Sequence, residues 1–292
     1  MRSGRRVLLD FQDVETIRPG ALVYLLAQVH KLRMEFGHER VTGSYPVSAR
    51  VDRLLEQSGF YSLLNVKSRK EAKIPNKLLR YIRFRSDQKL NAAVVGEIRD
   101  ELLRADLTMP AVVRRTVFRA VTEAMANVNH HAYLNKAVRT PQAADRWWML
   151  ASLNVPKNRF TLVFYDAGVG IPKTLPLRYP IEVIRRIVSL LPGFEPDDGQ
   201  MIDAAMQLGR TRTAMHNRGK GLQDLARLID EVAGGMMRIT SRHGCYTYTH
   251  GSGQPSKSYG FLEGTLIEWQ LPLSEALDEL PDDLHDKASH DS

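Results

Sequence analysis

The sequence predicts an α/β protein in two parts, on three observations. Strand-type apolar runs recur along it, at Val7-Leu-Leu-Asp-Phe11, Phe160-Thr-Leu-Val-Phe-Tyr165 and Leu266-Ile-Glu-Trp-Gln-Leu271. Between them lie segments with helical apolar spacing. At 292 residues the chain is long enough for two domains that each bury a core.

In chain order, Val7–Phe11 reads as a short strand. Ala21 to Phe36 follows as an amphipathic helix with Leu22, Leu25, Leu26, Val29 and Leu32 on one side. A second helix, Ala49 to Ser58, should end in a left-handed cap at Gly59. Helices are expected near Leu90 to Ala105 and from about Ala111 to Leu134. Trp147–Asn154 and Phe160–Asp166 then form a hairpin joined through Val155-Pro-Lys-Asn-Arg159, with both tryptophans packing on the strand. Ile181–Leu191 and Met201–Leu208 have helical spacing, as does the run Leu222, Leu225, Ala226, Leu228, Ile229.

Charge is unevenly spread. Residues 1–90 carry 18 Lys+Arg against 9 Asp+Glu, whereas residues 271–292 carry 1 against 7, so a basic front faces an acidic tail. The excess is concentrated in Lys67, Arg69, Lys70, Lys73, Lys77, Arg80, Arg83, Arg85 and Lys89, with Tyr81 and Phe84 among them. Such a stripe has the chemistry to bind nucleic acid, an acidic partner or the anionic tail of the same chain. A solvated connection between domains is the preferred reading. The single cysteine, Cys245, excludes an intramolecular disulfide framework and reads as a small thiol on a strand. No apolar run approaches the ~20 residues of a membrane span, and Met1-Arg-Ser-Gly-Arg-Arg leads into a strand rather than a signal segment, so no membrane partner and a cytoplasmic location are expected.

Three motifs carry chemistry. In Glu123-Ala-Met-Ala-Asn127-Val-Asn-His-His131, the residues Glu123, Asn127 and His131 are spaced by four and project from one helical face. Asn127 offers a hard oxygen to Mg²⁺, which takes few protein ligands plus phosphate oxygens, and Glu123 can orient or deprotonate an attacking group. His131 is read as structural. In Asp166-Ala-Gly168-Val-Gly170-Ile-Pro172, a carboxylate ends a strand and glycines let the backbone approach a ligand where a Cβ would collide. In Arg218-Gly219-Lys220-Gly221-Leu222, glycines open a helix and expose amides to phosphate at its positive end, with Arg218 and Lys220 adding charge.

Together with the late Gly264-Thr265, these motifs resemble the GHKL superfamily of ATPases and kinases. That resemblance implies an α/β sandwich over residues 90–272, a mixed sheet covered by helices on one face, with ATP and Mg²⁺ as cofactors. It assigns Asp166 to the adenine amino group, Gly168 and Gly170 to the turn beside the base, and Thr265 to the same pocket. Asn127 becomes the metal ligand, Glu123 the catalytic residue, and Arg218, Gly219, Lys220, Gly221 and Leu222 the phosphate loop. The interval 173–218 becomes a lid, in which Arg210 and Arg212 could meet phosphate. Adenine presents a donor where guanine presents an acceptor, so ATP should bind in preference to GTP. The stretch Asn127 to Tyr133 is closest to anti-sigma-factor serine kinases, although Gln223 stands where their last glycine falls.

Residues 1–66 resemble the STAS pattern through Val7–Val14, Arg18-Pro-Gly20 and Arg53–Phe60. The phosphorylatable hydroxyl expected before the glycine is replaced here by Arg18 and Pro19. The expected organisation is a STAS-like domain at 1–66, a basic linker at 67–89, an ATP-binding domain at 90–272 and an acidic tail at 273–292. The expected function is an ATP-driven conformational switch with slow hydrolysis, coupled to a protein partner encoded nearby. A protein serine/threonine kinase and a nonhydrolytic ATP sensor within a larger assembly are the alternatives, and a homodimer is left open. On this reading Glu123→Ala should leave ATP binding nearly intact and lower turnover by about 10²–10⁴-fold, the range for loss of a positioned general base. A phosphate-release assay checks this, and unchanged release would place the chemistry elsewhere.

Overall fold

The computed structural model describes residues 6–37, 40–67, 79–88, 93–94, 96–97, 100, 110–127, 146–191, 193–211 and 221–273, with backbone alone at 79, 80, 127, 209–211, 221 and 223. Its centre is a five-stranded sheet of β3 (Leu79–Asp87), β4 (Trp147–Asn154), β5 (Arg159–Asp166), β6 (Met236–Thr249) and β7 (Ser252–Pro272), in the order β3-β4-β5-β7-β6. Every pairing in it is antiparallel. A mixed sheet is the expectation from the family resemblance, but two tight hairpins build most of this one, and a hairpin can join only antiparallel neighbours. The β4–β5 turn forms where expected: the Asn154 side chain accepts from the Lys157 amide at 3.2 Å, and Asn158 takes a left-handed φ of 45° that returns the chain. Gly251, at φ 72°, closes the β6–β7 hairpin where Thr249 opposes Ser252.

β4 and β5 are nearly apolar throughout, without the alternation of a half-solvated sheet. Successive side chains point to opposite faces, so such strands need cover on both. One face packs on α4 (Ala111–Asn127), α7 (Asp198–Thr211) and α8 (Gly221–Asp230), with the short helices α5 (Ile171–Thr174) and α6 (Ile181–Ile187) lying between α4 and α7 in the chain. Val113, Val117, Val121, Ile202, Leu225 and Ile229 close over Trp147, Phe160, Leu162 and Phe164 there. The other face carries Trp148, Leu150, Val163, Tyr165 and Leu266, and these share a core with the N-terminal residues. The sheet is therefore covered on both faces, where one was expected. The reason is legible in Trp147-Trp-Met-Leu-Ala-Ser-Leu153, which leaves no face polar enough for water.

The N-terminal cover contains β1 (Val7–Leu9) and β2 (Val41–Gly43), paired in parallel, with α1 (Pro19–Phe36) as the crossover between them, then α2 (Ala49–Ser58) and α3 (Phe60–Leu64). Ser48 caps α2 by accepting from the Val51 amide, and Gly59 ends it at φ 86°, the left-handed stop that the sequence signals. α1 lies on β4 and β5. Tyr24 packs edge-on to Tyr165 with centroids 5.4 Å apart, Trp148 Nε1 donates to His30 Nδ1 at 3.1 Å, and Lys31 pairs with the exposed Glu263 at 3.4 Å. An exposed pair of that kind contributes about 0–1 kcal/mol, whereas each fully buried aliphatic or aromatic side chain contributes about 1.5–3, so apolar burial decides the docking.

Leu79–Asp87, within the interval read as a basic linker, forms the edge strand β3. Ile82 is buried, Arg83 is exposed, and Arg85 pairs with Glu97, so here the basic side chains decorate a strand. Its outer edge is covered in part by α2, where the Tyr81 amide donates to Gln57 Oε1 at 3.0 Å. Of the expected helix 90–105, the described positions 93–94, 96–97 and 100 are helical. The acidic tail beyond Leu273 lies outside the described residues. No helix among the described residues is long and apolar enough to cross a membrane.

Leu26→Ala, which opens a cavity in the core shared by α1 and the sheet, should cost about 2–5 kcal/mol of stability. Urea denaturation followed by tryptophan fluorescence checks this, because Trp148 lies in that core. A loss below about 1 kcal/mol would mean the docked face contributes little.

Candidate functional site

Asp166 ends β5 opposite Thr265 of β7, and Thr265 lies opposite Ser241 of β6. Directly opposed residues share a face, so three polar side chains stand in a row across three adjacent strands. All three are buried, at 8% exposure for Asp166, 7% for Thr265 and 0% for Ser241. Such a row at the end of an apolar sheet is costly unless each member finds partners. The Gly168 amide donates to Asp166 Oδ1 at 2.9 Å, folding the loop back on the carboxylate. Burial pushes the Asp166 pKa up from 3.8 to about 7, opposed by the Gly168 amide, then by the hydroxyl and the amide of Thr265 beside it.

The backbone around this carboxylate is closely packed. Gly264 has φ 86°, and a Cβ there would stand 1.9 Å from the Asp166 carbonyl oxygen, so no other residue fits. Gly170, at φ 87°, would place a Cβ 2.6 Å from Ser241 Oγ. Ser241 Oγ donates to the Gly264 carbonyl at 2.6 Å and accepts from the Ile171 amide at 3.2 Å. The next residue, Arg242, adopts a left-handed φ of 54° at a bulge in β6, a conformation uncommon outside glycine that clusters at functional sites. Tyr165 donates to the Glu263 carbonyl at 2.8 Å from the opposite face.

Of the sequence-predicted residues, Asp166, Gly168, Gly170 and Thr265 are thus brought together. Glu123 and Asn127 lie four apart on α4, which packs on α8 and touches β5. Glu123 is half-buried and has interaction partners; Asn127 is the last residue of α4. Arg119 on α4 grips Glu231, just past α8, at 2.8 and 3.0 Å. Gly221 opens α8, and Leu222 packs against the main core. Arg218, Gly219 and Lys220 lie outside the described residues, as do Arg212 and His131.

The interval read as a lid contains the end of α5, then α6 and α7, in its described part, with its own small core of Leu175, Ile184, Ala204 and Leu208. α7 lies against β6 and β7, and its residue Gly199 approaches the Ser256 backbone too closely to admit a Cβ. Much of the expected lid is therefore packed into the body. A cavity of about 200 Å³ between α7, α8 and β6, lined by Met206, Gln207, Arg227, Asp230, Tyr246 and Tyr248 among others, contains none of the motif residues. No cluster of three or more His, Cys, Asp or Glu able to hold a metal occurs among the described residues.

Sequence reasoning missed Ser241 and left the conformation of Gly264 unread. Neither had a local signal: Arg238-Ile-Thr-Ser241 is an ordinary strand sequence, and only the pairing of β6 with β7 aims the hydroxyl at the loop. Compared with known proteins, the chain matches no family model and no curated protein.

The raised Asp166 pKa has a sign that can be tested. The folded chain keeps this proton between about pH 4 and about pH 7, where the unfolded chain has released it, so this group's contribution to stability falls as pH rises through that window. Asp166→Asn should flatten that part of the profile. Urea denaturation at pH 5 and pH 8 measures it, and an unchanged slope would mean the carboxylate is ordinary.

Proposed function

We propose that the chain binds ATP, with the adenine amino group on Asp166 and the phosphates toward α4 and the start of α8, and that it hydrolyses ATP slowly as a conformational switch of the GHKL type. The observation that carries this reading is the buried Asp166 carboxylate, backed by Thr265 and flanked by Gly168, Gly170 and Gly264, three glycines from two separate segments. A buried acceptor at a strand end suits a flat heterocycle bearing an exocyclic amine. The second wall supports the chemistry. Glu123 on α4 would orient or deprotonate the water that attacks the terminal phosphorus, the phosphorus–oxygen bond to ADP breaking as the new one forms. The Asn127 amide oxygen is of the right type for Mg²⁺, which when bound neutralises phosphate charge.

The switch reading draws support from the seat of α1. That helix covers Trp148 and Tyr165, immediately behind Trp147 and Asp166, so the STAS-like module and the base pocket share strands β4 and β5. With Arg18-Pro19 in place of an acceptor hydroxyl, the module would dock a protein partner without accepting phosphate.

Calorimetry should show ATP·Mg²⁺ binding more tightly than GTP·Mg²⁺, with most ATP affinity lost in Asp166→Asn. Because Asp166 holds its proton up to about pH 7 while the adenine amine favours the carboxylate, binding near neutral pH should release a proton. The apparent enthalpy should then depend on the buffer's ionisation enthalpy, and affinity should fall below pH 7. Equal affinity for ATP and GTP would overturn the assignment of Asp166 to the base.

A further inference from the structure

We propose that Ser241 is a positioning residue for base recognition: it locks the loop after Asp166 to the turn before Thr265 and so holds the carboxylate in register with the adenine amine. This rests on the adenine reading of Asp166. Three observations converge on it. Ser241 is fully buried, in line with Thr265 and therefore with Asp166, although it comes from a strand that carries none of the sequence motifs. Its hydroxyl uses both capacities: it donates to the Gly264 carbonyl at 2.6 Å and accepts from the Ile171 amide at 3.2 Å. The two segments it joins are the two that carry Asp166 and Thr265, 166–171 and 263–265.

The bulge that follows explains how an ordinary strand residue comes to do this. The register of β6 against β7 shifts between Ser241 and Arg242 and again before Gly244, so regular pairing is interrupted after Ser241 and resumes at Gly244. The chain then turns through the left-handed Arg242, whose side chain reaches over Phe261 at 5.1 Å and toward Asp198 at 3.9 Å. Regular pairing up to 241 fixes the Ser241 side chain on the Asp166 face, and the bulge beyond it leaves room for Gly170 against the hydroxyl. A methyl group at 241 would leave the Gly264 carbonyl and the Ile171 amide without this partner, and both flank the carboxylate.

The test compares ATP with purine riboside triphosphate, which lacks only the 6-amino group, on the full chain. Wild type should prefer ATP. In Ser241→Ala, ATP affinity should fall about ten-fold, the range for one misplaced hydrogen bond, while affinity for the analogue stays within about two-fold, so that the preference collapses. Ser241→Thr, which restores a hydroxyl, should recover it. If Ser241→Ala loses its near-ultraviolet spectrum, Ser241→Cys, slightly larger and only a weak donor, carries the same comparison. Equal weakening of both ligands would mean a purely structural role and overturn the proposal, as would an intact preference. A wild type that binds ATP and the analogue equally would overturn the adenine reading itself, and this proposal with it.

Discussion

Strands β4 and β5 have no polar face, and most of the architecture answers that constraint. A sheet with Trp147 and Phe164 on one side and Trp148 and Tyr165 on the other must exclude water from both. Helices α4, α7 and α8 close one side and α1, α2 and α3 the other, so the N-terminal residues form half of the shell around a common sheet. Polar contacts cross that junction, His30 to Trp148 and Lys31 to Glu263 among them, and their energies are small beside the buried apolar area.

The candidate site occupies the place where this two-sided core runs out. β5 ends at Asp166, and the partner strand β7 continues past it through the kink at Gly264. A carboxylate placed there is dry enough to lose much of its hydration yet close enough to the loop to receive the Gly168 amide. Desolvation exceeds the stabilisation from its donors, which is why its pKa rises. A buried acceptor held this way is well organised for a ligand that brings a donor and costly without one.

The same geometry joins site and cover. Tyr165 faces α1 through Tyr24 and holds the Glu263 carbonyl, while its chain neighbour Asp166 faces the loop. A displacement of α1 would therefore act on the residue beside the carboxylate and on the turn before Gly264.

Much was legible in the sequence wherever a local rule governs. The β4–β5 hairpin follows from apolar runs around Pro156 and Asn158, α2 from its spacing and the Gly59 stop, and the helix that carries Glu123 and Asn127 from its apolar periodicity. The family resemblance named Asp166, Gly168, Gly170 and Thr265, and the structure brings these four together. The rest depends on which segments meet. Ser241 reaches the site only because β6 pairs with β7, Gly264 is obligatory only because the Asp166 carbonyl stands against it, and β3 is a strand only because β4 offers it an edge. The second cover was present in the unbroken apolar runs of β4 and β5, but what supplies it was not, since a strand's hydrophobicity states that a face is buried and only the tertiary structure decides by what.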